Sequence, residues 1–101
     1  MERKIIDGIN AVKLIYPEAR FIIFGSEATD SAKGDSDVDI CVVFPEIKKD
    51  SFALAAEIAK EIRKYLDRAL DVIVVDELNF NKRSKDTWTL EHTIKSEGIA
   101  V

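Results

Sequence analysis

Two aspartates spaced two apart, Asp37 and Asp39, open the otherwise apolar run that continues through Ile40, Cys41, Val42, Val43 and Phe44. In an extended strand, residues i and i+2 point to the same face, so this spacing sets the two carboxylates side by side. Held there they repel one another and lose hydration, which is costly unless a cation neutralises them. A hard divalent ion that prefers oxygen ligands, Mg²⁺ or Mn²⁺, meets that need. Upstream, the apolar run Phe21-Ile22-Ile23-Phe24 ends abruptly in Gly25-Ser26, and ten residues separate Ser26 from Asp37. Taken singly, Gly-Ser after a strand is commonly a plain turn, and Asp-x-Asp at a strand start can merely cap a loop. Their combination points to a metal site: a strand, a Gly-Ser turn, a polar loop, then a strand opening with paired acids.

The elements that must position these residues follow from apolar spacing. Ile5, Ile9, Val12 and Tyr16 recur at helical intervals, which predicts a helix over about 3–16, stopped by Pro17. Strands are expected at 20–24 and 37–44, the second closed by Pro45. Phe52, Ala55, Ala59, Ile62 and Leu66 form the apolar stripe expected of a second helix, with Glu57, Lys60, Glu61 and Lys64 as its solvated side. Leu70-Asp71-Val72-Ile73-Val74-Val75 reads as a third strand, and a last helix is expected at about 86–97, before Gly98. Ile99-Ala100-Val101 is either a short edge strand or a frayed tail. A helix between the second and third strands predicts a parallel pair joined by a right-handed crossover. The short link between the first two strands predicts an antiparallel pair. The expected fold class is α/β (α+β), a small mixed sheet with helices packed on it, as one domain over 1–101.

This constellation resembles the nucleotidyltransferase superfamily whose catalytic domain is like that of DNA polymerase beta. It is more closely similar to the minimal nucleotidyltransferases of prokaryotes, stand-alone domains often paired with HEPN-domain proteins (the MntA-like antitoxin type). The resemblance covers nearly the whole chain in order of elements, and its specific residues are Gly25, Ser26, Asp37, Asp39 and Asp71. From the residues alone, Asp71 is equally a turn aspartate near a strand start. The resemblance assigns it, because the superfamily carries its third carboxylate on the strand after the crossover helix. Asp76 and Glu77 compete for that role but lie at the far end of the strand, roughly 16 Å away at ~3.3 Å per residue.

What the resemblance implies is Mg²⁺-dependent transfer of a nucleoside monophosphate, AMP from ATP, to a hydroxyl with release of pyrophosphate. Two ions (Mg²⁺, with Mn²⁺ as the substitute) would be held by Asp37, Asp39 and Asp71, the last also able to accept the hydroxyl proton. Gly25 lets phosphate approach the backbone, while the following N–H groups and the Ser26 hydroxyl can hold phosphate oxygens. Ser36, counted with Gly25 and Ser26 among the nucleotide-binding candidates, either braces the loop before Asp37 or is a plain turn serine. The acceptor it implies is a tyrosine of a HEPN-type toxin, with this chain as antitoxin. A small-molecule enzyme acting on an aminoglycoside-like hydroxyl as a homodimer, and a non-catalytic partner-binding module, are the two rival readings. The chain departs from the family pattern at Glu27 and Asp30, where many relatives carry a basic residue and a glycine. The acids there are expected to weaken triphosphate binding unless Lys33 or Lys85 compensates.

Composition sets the outer limits. With 47% hydrophobic and 34% charged residues, the chain is that of a globular protein, and its net charge of −4 argues against holding long nucleic acid on a basic surface. Its apolar runs are too short to cross a bilayer, no signal-like stretch follows Met1-Glu2-Arg3-Lys4, and its one cysteine has no internal partner. A cytoplasmic location is expected. Cys41 reads as a small buried hydrophobe, His92 as helix surface or satisfied core, and Lys82, Arg83 and Lys85 as a solvated loop. Trp88, off the last helix's stripe, reads as an irregular core position with an outward-facing partner surface as the alternative.

Overall fold

The computed structural model describes residues 2–29 and 36–101. Helix α1 (Arg3–Ile15) leads into strand β1 (Arg20–Phe24), and a single 3₁₀ turn, Gly25–Glu27, follows it directly. Strand β2 (Val38–Phe44), helix α2 (Ser51–Ile62) and strand β3 (Leu70–Asp76) come next. Helices α3 (Glu77–Ser84) and α4 (Leu90–Glu97) and the short strand β4 (Ile99–Ala100) complete the described elements. The sheet order is β3-β2-β1-β4. β1 pairs antiparallel with β2 and with β4, while β2 and β3, on either side of α2, are parallel. The expected mixed sheet is observed.

Strand alternation sorts the side chains into two layers. Phe21 and Ile23 of β1 and Val38, Ile40, Val42 and Phe44 of β2 face one way, onto Ile5, Ile9 and Val12 of α1 and Leu54, Ile58 and Ile62 of α2. Ile22, Cys41 and Val43 face the other way, onto Phe80 of α3 and Ile94 of α4. The central strands are thus buried on both faces, which is why β1 and β2 read as near-continuous apolar runs.

Four expectations change. The buried stripe of α2 is Leu54, Ile58, Ala59 and Ile62 rather than one running through Phe52, which is 84% exposed. Both stripes have helical spacing. The sheet takes the one carrying the larger branched side chains, because these fill the sheet–helix interface. Residues 77–84 form a helix, so Lys82 and Arg83 lie on α3 rather than in a loop, and Lys85 caps its end. That segment buries only Phe80 and Ser84 and so carries little apolar periodicity, but Asp76 caps it by accepting from Asn79 N–H at 2.7 Å. α4 begins at Leu90 rather than near 86, with Thr89 as its cap accepting from His92 N–H at 3.1 Å. The tail forms an edge strand, with Ile99 opposite Ile23. Trp88 is 93% exposed and outside both cores, so it faces outward and is not the irregular core position expected.

Candidate functional site

The topology brings the chemistry to one end of the sheet. β1 ends where β2 and β3 begin, so the Gly25 turn, the head of β2 and the head of β3 stand together. Phe24 is opposite Asp39 across the antiparallel pair, and Asp39 is opposite Asp71 across the parallel pair. Neighbouring strands lie about 4.8 Å apart, and residues in register point to the same face, so these two carboxylates are immediate neighbours. Asp39 shares its face with Cys41 and Val43, the face that α3 and α4 cover further along. Asp37 is exposed just before the strand. The strand's first residue is held by a bond from Val38 N–H to Ala69 O at 2.9 Å.

The electrostatics agree with this placement. The Asp39 carboxyl is pushed above its ordinary 3.8, first by burial and then by the negative charges of Asp71 and Asp37. Asp71 and Asp37 therefore both act on Asp39, a crowding of like charge that a hard divalent ion would relieve. Among the described residues no three metal-binding side chains are gathered around a single point. What the structure sets together is the pair Asp39 and Asp71, and Mg²⁺ can be held by one or two carboxylates, with water and phosphate oxygens completing its shell.

Gly25 has a φ of +71°, a conformation that side chains other than glycine rarely adopt. A Cβ there would also overlap the Asp39 carboxylate oxygen Oδ2. The turn thus needs glycine twice over, once for its backbone and once to let Asp39 stand against it. Gly25 O accepts from the N–H groups of Ala28 and Thr29 at 3.1 and 3.2 Å, which closes the turn. Ser26 lies in the body of the turn and is half-buried.

Glu27 corrects the expectation that it opposes phosphate as a loose charge. Its side chain is 7% exposed and ion-paired to Arg68, itself 12% exposed. Arg68 further donates to Ser36 O, at 2.7 Å from Nη2 and 3.2 Å from Nε, and pairs with Glu2 at 3.1 Å. Its guanidinium is held still more firmly in the charged form, chiefly by the bond to Glu27. One side chain from the approach to β3 therefore ties the turn after β1 to the residue preceding Asp37. Ser36 takes part in this brace through its carbonyl. Sequence reasoning missed Arg68. Its only signal was a lone basic residue three positions before Asp71, with no motif attached. Asp30 and Lys33 lie outside the described residues.

The competing acids have structural work at the opposite end of β3. Asp76 caps α3, and Glu77 pairs with Arg20 at 2.7 Å. Cys41 is fully buried, and burial pushes its thiol up to about 12, so it is an inert core residue. His92 Nδ1 lies 3.0 Å from Ser84 O, joining α4 to α3. A cavity of about 460 Å³ bounded by Tyr16, Phe44, Pro45, Ile47 and Leu54 opens at the far end of β2, and no site residue lines it.

Comparison with known proteins decides the family. The model of the nucleotidyltransferase domain matches residues 5–101. The chain belongs to the nucleotidyltransferase domain family. Its fold is similar to a crystal structure from Sulfolobus solfataricus provisionally assigned as a nucleotidyltransferase. The TM-score is 0.57 and the identity 20%, over 99% of this chain and 87% of that one. At that identity the likeness concerns the fold. Comparison with curated protein sequences gives no match. Among the described residues of this nucleotidyltransferase domain, no helix is long and apolar enough to cross a membrane.

Proposed function

We propose that this nucleotidyltransferase transfers AMP from ATP to a hydroxyl, using Mg²⁺ held by Asp37, Asp39 and Asp71. The observation that carries the reading is the register Asp39 opposite Asp71, beside a glycine turn that only glycine can make. When bound, Mg²⁺ supplies charge neutralisation to the triphosphate and acidifies the attacking hydroxyl. Asp71, exposed at the strand head, is the carboxylate with room to accept that hydroxyl's proton. The Gly25–Ser26 backbone and the Ser26 hydroxyl offer donors to phosphate oxygens. Arg68 keeps the turn and the Asp37 approach in one arrangement.

The acceptor in this reading is a tyrosine of a HEPN-domain toxin, and the chain is its antitoxin. Support for this acceptor comes from the resemblance to minimal nucleotidyltransferases; the family supports the nucleoside triphosphate alone. The non-catalytic alternative drew on Glu27 and Asp30 as charges that repel phosphate; the pairing of Glu27 with Arg68 weakens its Glu27 part, and Asp30 lies outside the described residues. The test is mass spectrometry after incubation with Mg²⁺, ATP and the partner. The expected result is about 329 Da added per AMP, with pyrophosphate released. Asp71→Asn, nearly isosteric at an exposed strand end, should fold normally and lose most of the transfer. Full neutralisation of the toxin by Asp71→Asn, with no mass added by either protein, would show that contact alone is the mechanism.

A further inference from the structure

β3 is the terminal strand of the sheet, and among the described residues no strand pairs with its outer side. The parallel pairing fixes which backbone groups face outward. Ala69 O accepts from Val38 N–H, and Val38 stands opposite Leu70 in the register. Ala69, Asp71, Ile73 and Val75 therefore turn their backbone groups toward β2, while Leu70, Val72, Val74 and Asp76 turn theirs outward. Natural edges are usually blunted by charged side chains, Lys above all, by Pro, a bulge or shortness. The strand Leu70-Asp71-Val72-Ile73-Val74-Val75-Asp76 carries acids only near its two ends, has neither Lys nor Pro, and keeps an unbroken register with β2. Beside it runs a groove of about 140 Å³ bounded by Phe52 and Ala55 of α2 and by Val72 and Val74, with Phe52 exposed at the rim.

We propose that this edge pairs with β3 of a second copy of the chain, antiparallel about a two-fold axis at Ile73, joining two four-stranded sheets into one. The strand is complementary to its own reverse. Turned about Ile73, it sets Val72 against Val74, Asp71 against Val75 and Leu70 against Asp76, so no acid meets an acid. Charge is compatible: Arg63 donates to Leu70 O at 3.4 Å in the single chain, and on pairing it would yield that carbonyl to the ladder and stand beside the acid Asp76 of the second copy. Shape agrees as well. Val72 and Val74 of the second copy project on the same face as the α2 groove and fill it against Phe52. A two-fold contact makes each of these interactions twice.

Sedimentation of the purified chain tests the pairing. Wild type is expected at twice the chain mass. Val74→Lys is expected at the single mass with an unchanged circular dichroism spectrum. So is Val72→Pro, because the N–H it removes faces outward and is unpaired in the single chain. Ile73→Cys tests the register in a Cys41→Ala background, since Cys41 lies opposite Ile73 within one chain. Mild oxidation should then link two chains, because residues on the axis face each other within disulfide range. A wild type that stays monomeric at about 1 mM overturns self-pairing and leaves the edge to a strand from a different protein. A dimer that survives both edge variants places the interface elsewhere. A dimer that both variants abolish, yet that does not cross-link through position 73, overturns the register.

Discussion

Asp39 carries the strain of the site. Its carboxyl is raised by burial and by Asp71 and Asp37, so the folded state holds the proton more tightly than the unfolded chain does. In the absence of metal, this contribution to stability is greatest below the ordinary carboxylate value and is lost as pH rises through the raised one. Asp39→Asn should therefore make the metal-free protein more stable at neutral pH and flatten its acid-side dependence. Urea titrations at several pH values in a chelator will show this. An unchanged slope would mean that neither burial nor the neighbouring acids raise the Asp39 carboxyl. Mg²⁺ should stabilise wild type and leave Asp37→Asn/Asp39→Asn unaffected. At Gly25 the cost runs the other way. Gly25→Ala forces a side chain into a positive φ and against Asp39 Oδ2, with an expected loss of about 2 kcal/mol, readable as a lower urea midpoint.

Between elements, Arg68 is the tie that matters most for the site. It joins the turn after β1, the approach to β2 and the start of α1 through Glu27, Ser36 and Glu2. Removing one partner of a nearly buried pair leaves the other charge uncompensated, so Arg68→Met should cost about 3 kcal/mol. Metal affinity should fall with it, because the Asp37 approach loses its anchor; calorimetry on the folded variant measures this. Glu27→Arg, which the sequence alone suggests would tighten ATP, instead sets a second guanidinium against Arg68. It is expected to destabilise the fold and to bring no gain in nucleotide affinity. The same substitution has opposite expected outcomes because tertiary pairing, not local sequence, decides what charge Glu27 presents.

Across the whole molecule the two faces of the sheet are unequal. The α1–α2 face buries a broad set of aliphatic residues, whereas the α3–α4 face rests on Phe80 and Ile94 over Ile22, Cys41 and Val43. Polar links reinforce the thinner layer. The Arg20 guanidinium lies 5.6 Å from the centre of the Phe80 ring and pairs with Glu77, and Arg83 pairs with Glu91 at 2.6 Å. Exposed links of this kind contribute little. Native-state hydrogen exchange should thus show α3 and α4 opening at lower free energy than β2 or α1. Equal protection on both faces would contradict this. Large-to-small changes should follow the same asymmetry, with Ile58→Ala costing about 3 kcal/mol.

Sequence alone determined the parts in which neighbours along the chain supply the physics. Apolar runs with sharp ends marked β1, β2 and β3, helical spacing marked α1 and α2, and the i, i+2 acids with Gly25-Ser26 marked the candidate site. It also gave the pairing directions, because loop length and an intervening helix restrict how strands can meet. Tertiary structure decided what depends on partners distant in sequence. α3 was hidden because its stability comes from Asp76 capping and from Phe80 packing across the sheet, not from a periodic pattern of its own. The α2 stripe was ambiguous because two sets of residues had helical spacing, and only contact with the sheet chose Leu54, Ile58 and Ile62. Glu27 looked like a free acid until Arg68, 41 residues away in sequence, was placed against it. From its own residues Asp71 could not be told from a turn aspartate, and only the family resemblance singled it out; the register that sets it opposite Asp39 is a property of two strands, and neither contains it alone.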